Sequence, residues 1–91
     1  MRRVHVIVRG DVQGVGYRYT MRIEARAADV AGWVRNRRDG TVEAEVEGTP
    51  DQVDAVLAWM AGGPPGSRVD GAEVTELAPT GDHGFEVRDS A

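Results

Sequence analysis

From Thr41 to Gly48 the chain reads Thr-Val-Glu-Ala-Glu-Val-Glu-Gly, apolar residues alternating with carboxylates. A period of two sets Val42, Ala44 and Val46 on one face of a strand and Glu43, Glu45 and Glu47 on the other, so only one face of its sheet is expected to be buried. Val4, Val6 and Val8 repeat the pattern between His5, Ile7 and Arg9. One-sided strands of this kind belong to antiparallel sheets covered by a single further layer. The covering layer is legible from a change of period. Tyr17, Met21, Ala25 and Ala28 recur at spacings of four, four and three, and Val53, Val56, Leu57 and Met60 form a second stripe at helical spacing.

Punctuation residues divide the chain between these elements. Gly10 ends the first strand, and Gly10-Asp11-Val12-Gln13-Gly14-Val15-Gly16 forms a glycine-rich loop feeding a helix from Tyr17 to about Ala28. A second strand, Ala31 to Arg37, turns through Arg38-Asp39-Gly40 into the third, Thr41 to Gly48. A three-residue turn with Gly40 left-handed sets Val34 opposite Ala44, Asn36 opposite Val42, Trp33 opposite Glu45 and Arg35 opposite Glu43. A two-residue turn would put Val34 across from Glu45 and mix the faces. Thr49-Pro50-Asp51-Gln52 reads as a capping box with proline at the first helical position, and Gly62-Gly63-Pro64-Pro65-Gly66 stops that helix. A fourth strand spans Arg68 to Leu77 and a short fifth Gly84 to Arg88. The order β-α-β-β-α-β plus a terminal strand predicts an α+β, ferredoxin-like split βαβ sandwich, an antiparallel sheet with two helices on one face. At 91 residues the chain is expected to form one domain, 1–91.

Charge is uneven. Residues 1–40 carry nine arginines against four acids, and residues 41–91 carry two arginines against eleven acids. All basic side chains are arginine, which removes a phosphate loop of the Walker type and Schiff-base chemistry, both of which need lysine. Without cysteine there is no disulfide or thiol nucleophile, and the only histidines, His5 and His83, are not at ligand spacing. No metal and no cofactor are therefore expected. No apolar run approaches a membrane span, and the reading is a soluble, cytoplasmic protein without a membrane partner. Ser67 and Ser90 lack a nucleophile elbow, and neither histidine is a persuasive general base.

The strongest chemical feature is the glycine loop. Its backbone N–H groups can point inward, and the helix start adds free donors and a positive dipole end, so a small anion fits there. Arg18 stands in the first helical turn, where its charge opposes the dipole, and its planar fork suits a phosphoryl group. A tight turn with a surface arginine explains the same residues. Asn36 shares the parity of Val34 and is expected to face the helix layer, where its carboxamide could hold a water; a turn-capping asparagine is the alternative.

These residues converge on a family. Gly10-Asp11-Val12-Gln13-Gly14-Val15-Gly16-Tyr17-Arg18 strongly resembles the first signature of the acylphosphatases, and Gly32-Trp33-Val34-Arg35-Asn36, with Asp39-Gly40-Thr41-Val42-Glu43 and Gly48, resembles the second. Asp11 departs from the pattern by adding negative charge, and Asp29 stands where a helix-ending glycine is more common. The resemblance implies metal-independent hydrolysis of acyl phosphates to carboxylate and inorganic phosphate. It implies that Arg18 and the loop N–H groups of Gln13, Gly14, Val15, Gly16 and Tyr17 bind the phosphoryl group, and that Asn36 positions the attacking water. The partners would be a small acyl phosphate and phosphate or another small anion, with the protein acting as a monomer. Two other readings stand beside this one: a non-catalytic module binding a small anion in the same loop, and an RNA-binding module on the same sandwich. Glu43, Glu45 and Glu47 on the open face argue against the second, so no nucleic-acid partner is expected.

Overall fold

The computed structural model describes residues 1–91. Strand β1 (Arg2–Asp11) leads into helix α1 (Tyr17–Ala27), followed by β2 (Ala31–Asn36), β3 (Val42–Gly48), α2 (Pro50–Gly62), β4 (Arg68–Leu77) and β5 (Phe85–Val87). The sheet order is β4-β1-β3-β2-β5. The first three pairings in that order are antiparallel. The short β5 lies parallel to β2, so the finished sheet is mixed and the antiparallel description applies to its four principal strands. Because β3 lies between β1 and β2 and runs against both, β1 and β2 are parallel, which is the split βαβ arrangement.

The β2–β3 register agrees with that read from the turn: Val34 pairs with Ala44, Arg35 with Glu43 and Asn36 with Val42. Both helices cover one face. Val4, Val6, Val8, Val42, Ala44 and Val46 pack there against Tyr17, Met21 and Ala25 of α1 and Val53, Val56 and Met60 of α2 in one cluster. Leu57, expected in the α2 stripe, packs at the edge of this cluster and is only half-buried. No helix is long and apolar enough to cross a membrane.

The other face of the sheet is a network of charges. Arg35 Nε donates to Glu43 at 2.6 Å, His5 Nε2 lies 2.7 Å from the second Glu43 oxygen, and Arg3 Nε donates to Glu45 at 2.7 Å. Burial disfavours an ionised Glu43, but its bonds with His5 and Arg35 outweigh this and hold its carboxyl below the usual range. Trp33 is buried, and the guanidinium groups of Arg35 and Arg88 each lie 4.9 Å from its ring centroid. Glu47 departs from the expectation of three carboxylates on an open face. It is 2 % exposed because the segment after β4 folds over it, and it accepts bonds from Thr80 N–H (2.8 Å), Gly81 N–H (2.9 Å) and Arg3 Nη1 (3.1 Å).

Candidate active site

The loop between β1 and α1 is held at three points. Val12 is 1 % exposed and anchors its start in the core. Tyr17 anchors its end: the ring packs 5.2 Å from that of Trp59 and the hydroxyl donates to the Met60 carbonyl at 2.8 Å. Burial pushes the Tyr17 phenol above its ordinary pKa, so that donor stays protonated. Between them the Gln13 side-chain amide donates to the carbonyls of Arg37 (2.7 Å) and Thr41 (2.9 Å), across the β2–β3 turn. Gln13 was expected only as a backbone donor; its side chain ties the loop to the strand end that carries Asn36. The available signal was a lone carboxamide among glycines, a residue able to donate two bonds to a neighbouring turn.

Pinning by Val12, Gln13 and Tyr17 leaves the loop backbone free to bond elsewhere. Gly14 and Gly16 have φ of +75° and +79°, conformations that a side chain would strain. In them the backbone N–H groups of Gln13, Gly14, Val15 and Gly16 find no acceptor in the protein, and the first helical bond is Thr20 N–H to Gly16 O at 3.0 Å. Gly16 caps α1 without a side-chain bond, and no acidic residue stands in the first turn. Arg18 is half-buried there and has no carboxylate oxygen within 4.0 Å; its guanidinium lies 5.6 Å from the Tyr19 ring centroid. The added negative charge of Asp11 is met by Arg68, 3.6 Å away.

Asn36 enters from the side. Val42 pairs with Val8 on one flank and Asn36 on the other, so the three lie in one row across the sheet. Val8 and Val42 are fully buried beneath the helices, and Asn36 therefore projects into the helix layer at the end of that row. Its Oδ1 is buried and has no hydrogen-bond partner. A buried carbonyl oxygen normally finds a donor, so this one keeps its capacity to accept a hydrogen bond unused within the protein. The parallel course of β1 and β2 thus delivers the free donors, Arg18 and Asn36 to the same end of the sheet.

The opposite end differs. The largest cavity, about 590 Å³, lies there between the end of α1, the start of β2 and the segment before β5, lined by Arg26, Asp29, Asp82 and His83 among others. Glu47 at its wall is fully bonded. No group of three or more His, Cys, Asp or Glu side chains gathers anywhere in the fold to hold a metal ion.

A family model described as acylphosphatase matches residues 4–87. The chain belongs to the acylphosphatase family. It is 51 % identical over 85 residues to the acylphosphatase of Thermococcus kodakarensis, spanning 93 % of each chain. It is also 51 % identical over 87 residues to that of Anaeromyxobacter dehalogenans, spanning 94 % of each. Among solved structures, the acylphosphatase of Bacillus subtilis superposes with a TM-score of 0.94 at 39 % identity, covering 97 % of this chain and 99 % of that one. The protein is accordingly an enzyme of the acylphosphatase type, and the ferredoxin-like sandwich read from its periodicity is the fold of its relatives.

Proposed function

We propose that this enzyme hydrolyses acyl phosphates by direct attack of water on phosphorus, residues 1–91 acting as one catalytic unit. The observation carrying the reading is the gathering, at one end of the sheet, of free N–H donors, an unpaired arginine and the unpartnered Asn36 Oδ1. The loop donors and Arg18 hold the phosphoryl oxygens, and Arg18 offsets charge as the bond to the leaving oxygen lengthens. Asn36 accepts a hydrogen bond from a water through Oδ1 and fixes it for in-line attack. The water oxygen bonds to phosphorus, the bond from phosphorus to the acyl oxygen breaks, and the carboxylate leaves with its electron pair. One water proton stays on the attacking oxygen and the other passes to a phosphoryl oxygen, giving carboxylate and dihydrogen phosphate.

This route suits a chain without a convenient base. A carboxylate leaves readily, so positioning and charge stabilisation supply most of the acceleration. One copy of the chain supplies every group named. The test is turnover of benzoyl phosphate in excess chelator, with inorganic phosphate as a competitive inhibitor. Sustained turnover supports the reading; phosphate binding without turnover would favour a non-catalytic anion module, and activity that vanishes with chelator would overturn the metal-free route.

A further inference from the structure

Seven of the eleven arginines lie within 4.0 Å of a carboxylate oxygen. The four that do not are Arg18, Arg22, Arg26 and Arg38. Three of these recur at intervals of four along α1, which sets them in one stripe beginning at the phosphate loop. Like charges at this spacing weaken a helix, and the only acid in α1 is Glu24. Arg26 in the last turn complements the helix C-terminus, but helix stability gives no reason for Arg18 or Arg22. Within the stripe, Arg26 is occupied by a bond from Nη2 to the Phe85 carbonyl at 3.2 Å. The Arg22 side chain makes no hydrogen bond within the protein; its guanidinium lies 5.6 Å from the ring of Tyr19, which is 55 % exposed and equally close to Arg18.

We infer that Arg22 and the exposed Tyr19 ring form a subsite for the acyl half of the substrate, selecting acyl groups that carry a second anionic group. The inference rests on the acyl phosphate reading above. The guanidinium carbons of Arg18 and Arg22 each lie 5.6 Å from the Tyr19 ring centroid and so at most about 11 Å from each other, close enough to bracket a phosphoryl group and a carboxylate across a short or aromatic acyl group. With a net charge of −4, the protein as a whole repels an anion, so a second anionic group gains only where a cation is left without an acidic partner. Arg22 is such a cation one turn from Arg18, and its fork suits a bidentate carboxylate or phosphate.

The experiment compares 4-carboxybenzoyl phosphate with its neutral isostere 4-carbamoylbenzoyl phosphate on the wild type, Arg22→Gln and Arg26→Gln. The wild type is expected to favour the carboxylated substrate by about tenfold in kcat/KM, the size of one charge-assisted hydrogen bond. Arg22→Gln should bring the ratio to within about twofold of unity, with the loss in KM for the carboxylated substrate, whereas Arg26→Gln should keep the preference. Equal treatment of both substrates by the wild type, while it turns over benzoyl phosphate, overturns the subsite and leaves the acyl phosphate reading standing. An equal loss of preference in Arg26→Gln overturns it in favour of a diffuse field. An Arg22→Gln protein that keeps the full preference overturns it in favour of another role for the stripe, such as docking an acidic macromolecule. A wild type inert toward all three substrates removes the acyl phosphate reading and the subsite with it.

Discussion

The two helices of this protein begin in opposite ways. Helix α2 starts with Thr49, whose hydroxyl accepts from Gln52 N–H at 3.2 Å while the Gln52 side chain accepts from Thr49 N–H at 2.9 Å; Pro50 and the acidic Asp51 follow. Each of these choices satisfies or complements a helix N-terminus. Helix α1 starts with a left-handed glycine, no side-chain cap, no acid in the first turn and an arginine instead. The first terminus is complete in itself; the second has its donors free and a cation beside them, an arrangement that local stability does not favour and that an anion would complete. The two termini lie at opposite ends of one sheet, so the comparison extends to the ends themselves. One end bonds Glu47 through Thr80, Gly81 and Arg3, while the other leaves Asn36 Oδ1 without a donor.

The largest expected effect tests the incomplete end. Arg18→Gln should lower kcat/KM for an acyl phosphate by about a thousandfold, as for loss of a charged contact to a developing oxyanion. Because Arg18 has no carboxylate partner, the same substitution should leave the thermal midpoint near that of the wild type. A clear drop in midpoint would make Arg18 a structural residue and erase the contrast between the termini. Asn36→Ala should follow with a loss of about a hundredfold in kcat, typical of a misplaced nucleophile. Phosphate affinity, measured by titration calorimetry, should stay within about threefold. Its stability should hold or rise, since the substitution removes a buried carbonyl that lacks a donor. Matched losses of turnover and phosphate affinity would instead assign Asn36 to the shape of the loop.

Glu47 carries the contrast at the complete end. The Thr80 N–H bond lowers its pKa most; burial opposes this, and Arg3 with the Gly81 N–H adds to the lowering, leaving a value of about 2. A carboxyl whose pKa is depressed on folding stabilises the native state fully above its unfolded pKa, near 4.5. That stabilisation is lost as pH falls toward the folded value. Glu47→Gln should therefore unfold at lower urea than the wild type at pH 7, and the gap should narrow between about pH 5 and pH 2. Turnover per folded molecule should not change. A gap independent of pH would show that the carboxylate charge contributes nothing.

Much of this was legible in the sequence because it depends on short-range rules. The turn length and the parity of Val34 together predict that Asn36 faces the helices, and the β2–β3 register bears this out. The capping box at Thr49 is present in both of its bonds. Glu47 was not legible, since a period of two marks a polar face but cannot say that a distant segment, Thr80 and Gly81, will fold over one residue of it. The partner of β5 was equally hidden, because three residues encode a strand without encoding its neighbour. Asp29 was half legible: its departure from glycine was visible, and the structure puts it at φ 59°, the left-handed turn in which glycine would be relaxed. Gln13 was legible by position but not by role, for its two bonds reach a turn more than twenty residues away.

The smallest effect tests the complete terminus alone. Thr49→Ala removes the acceptor for Gln52 N–H and should cost about 1 kcal/mol of stability, the usual value for losing a helix cap. The loss stays modest because both cap bonds are exposed, so water can replace the missing oxygen. Activity should be unaffected. α2 meets the glycine loop at its other end, where the Met60 carbonyl receives the Tyr17 hydroxyl, and a frayed first turn at Pro50 leaves that bond in place. Thr49→Ala is therefore the mirror of Arg18→Gln: one lowers stability with kcat/KM unchanged, the other lowers kcat/KM with stability unchanged. Unfolding curves and initial rates on the same two preparations read both quantities. A fall in kcat/KM with Thr49→Ala would mean that the loop depends on the whole length of α2, and the two helix starts would then be coupled rather than opposed.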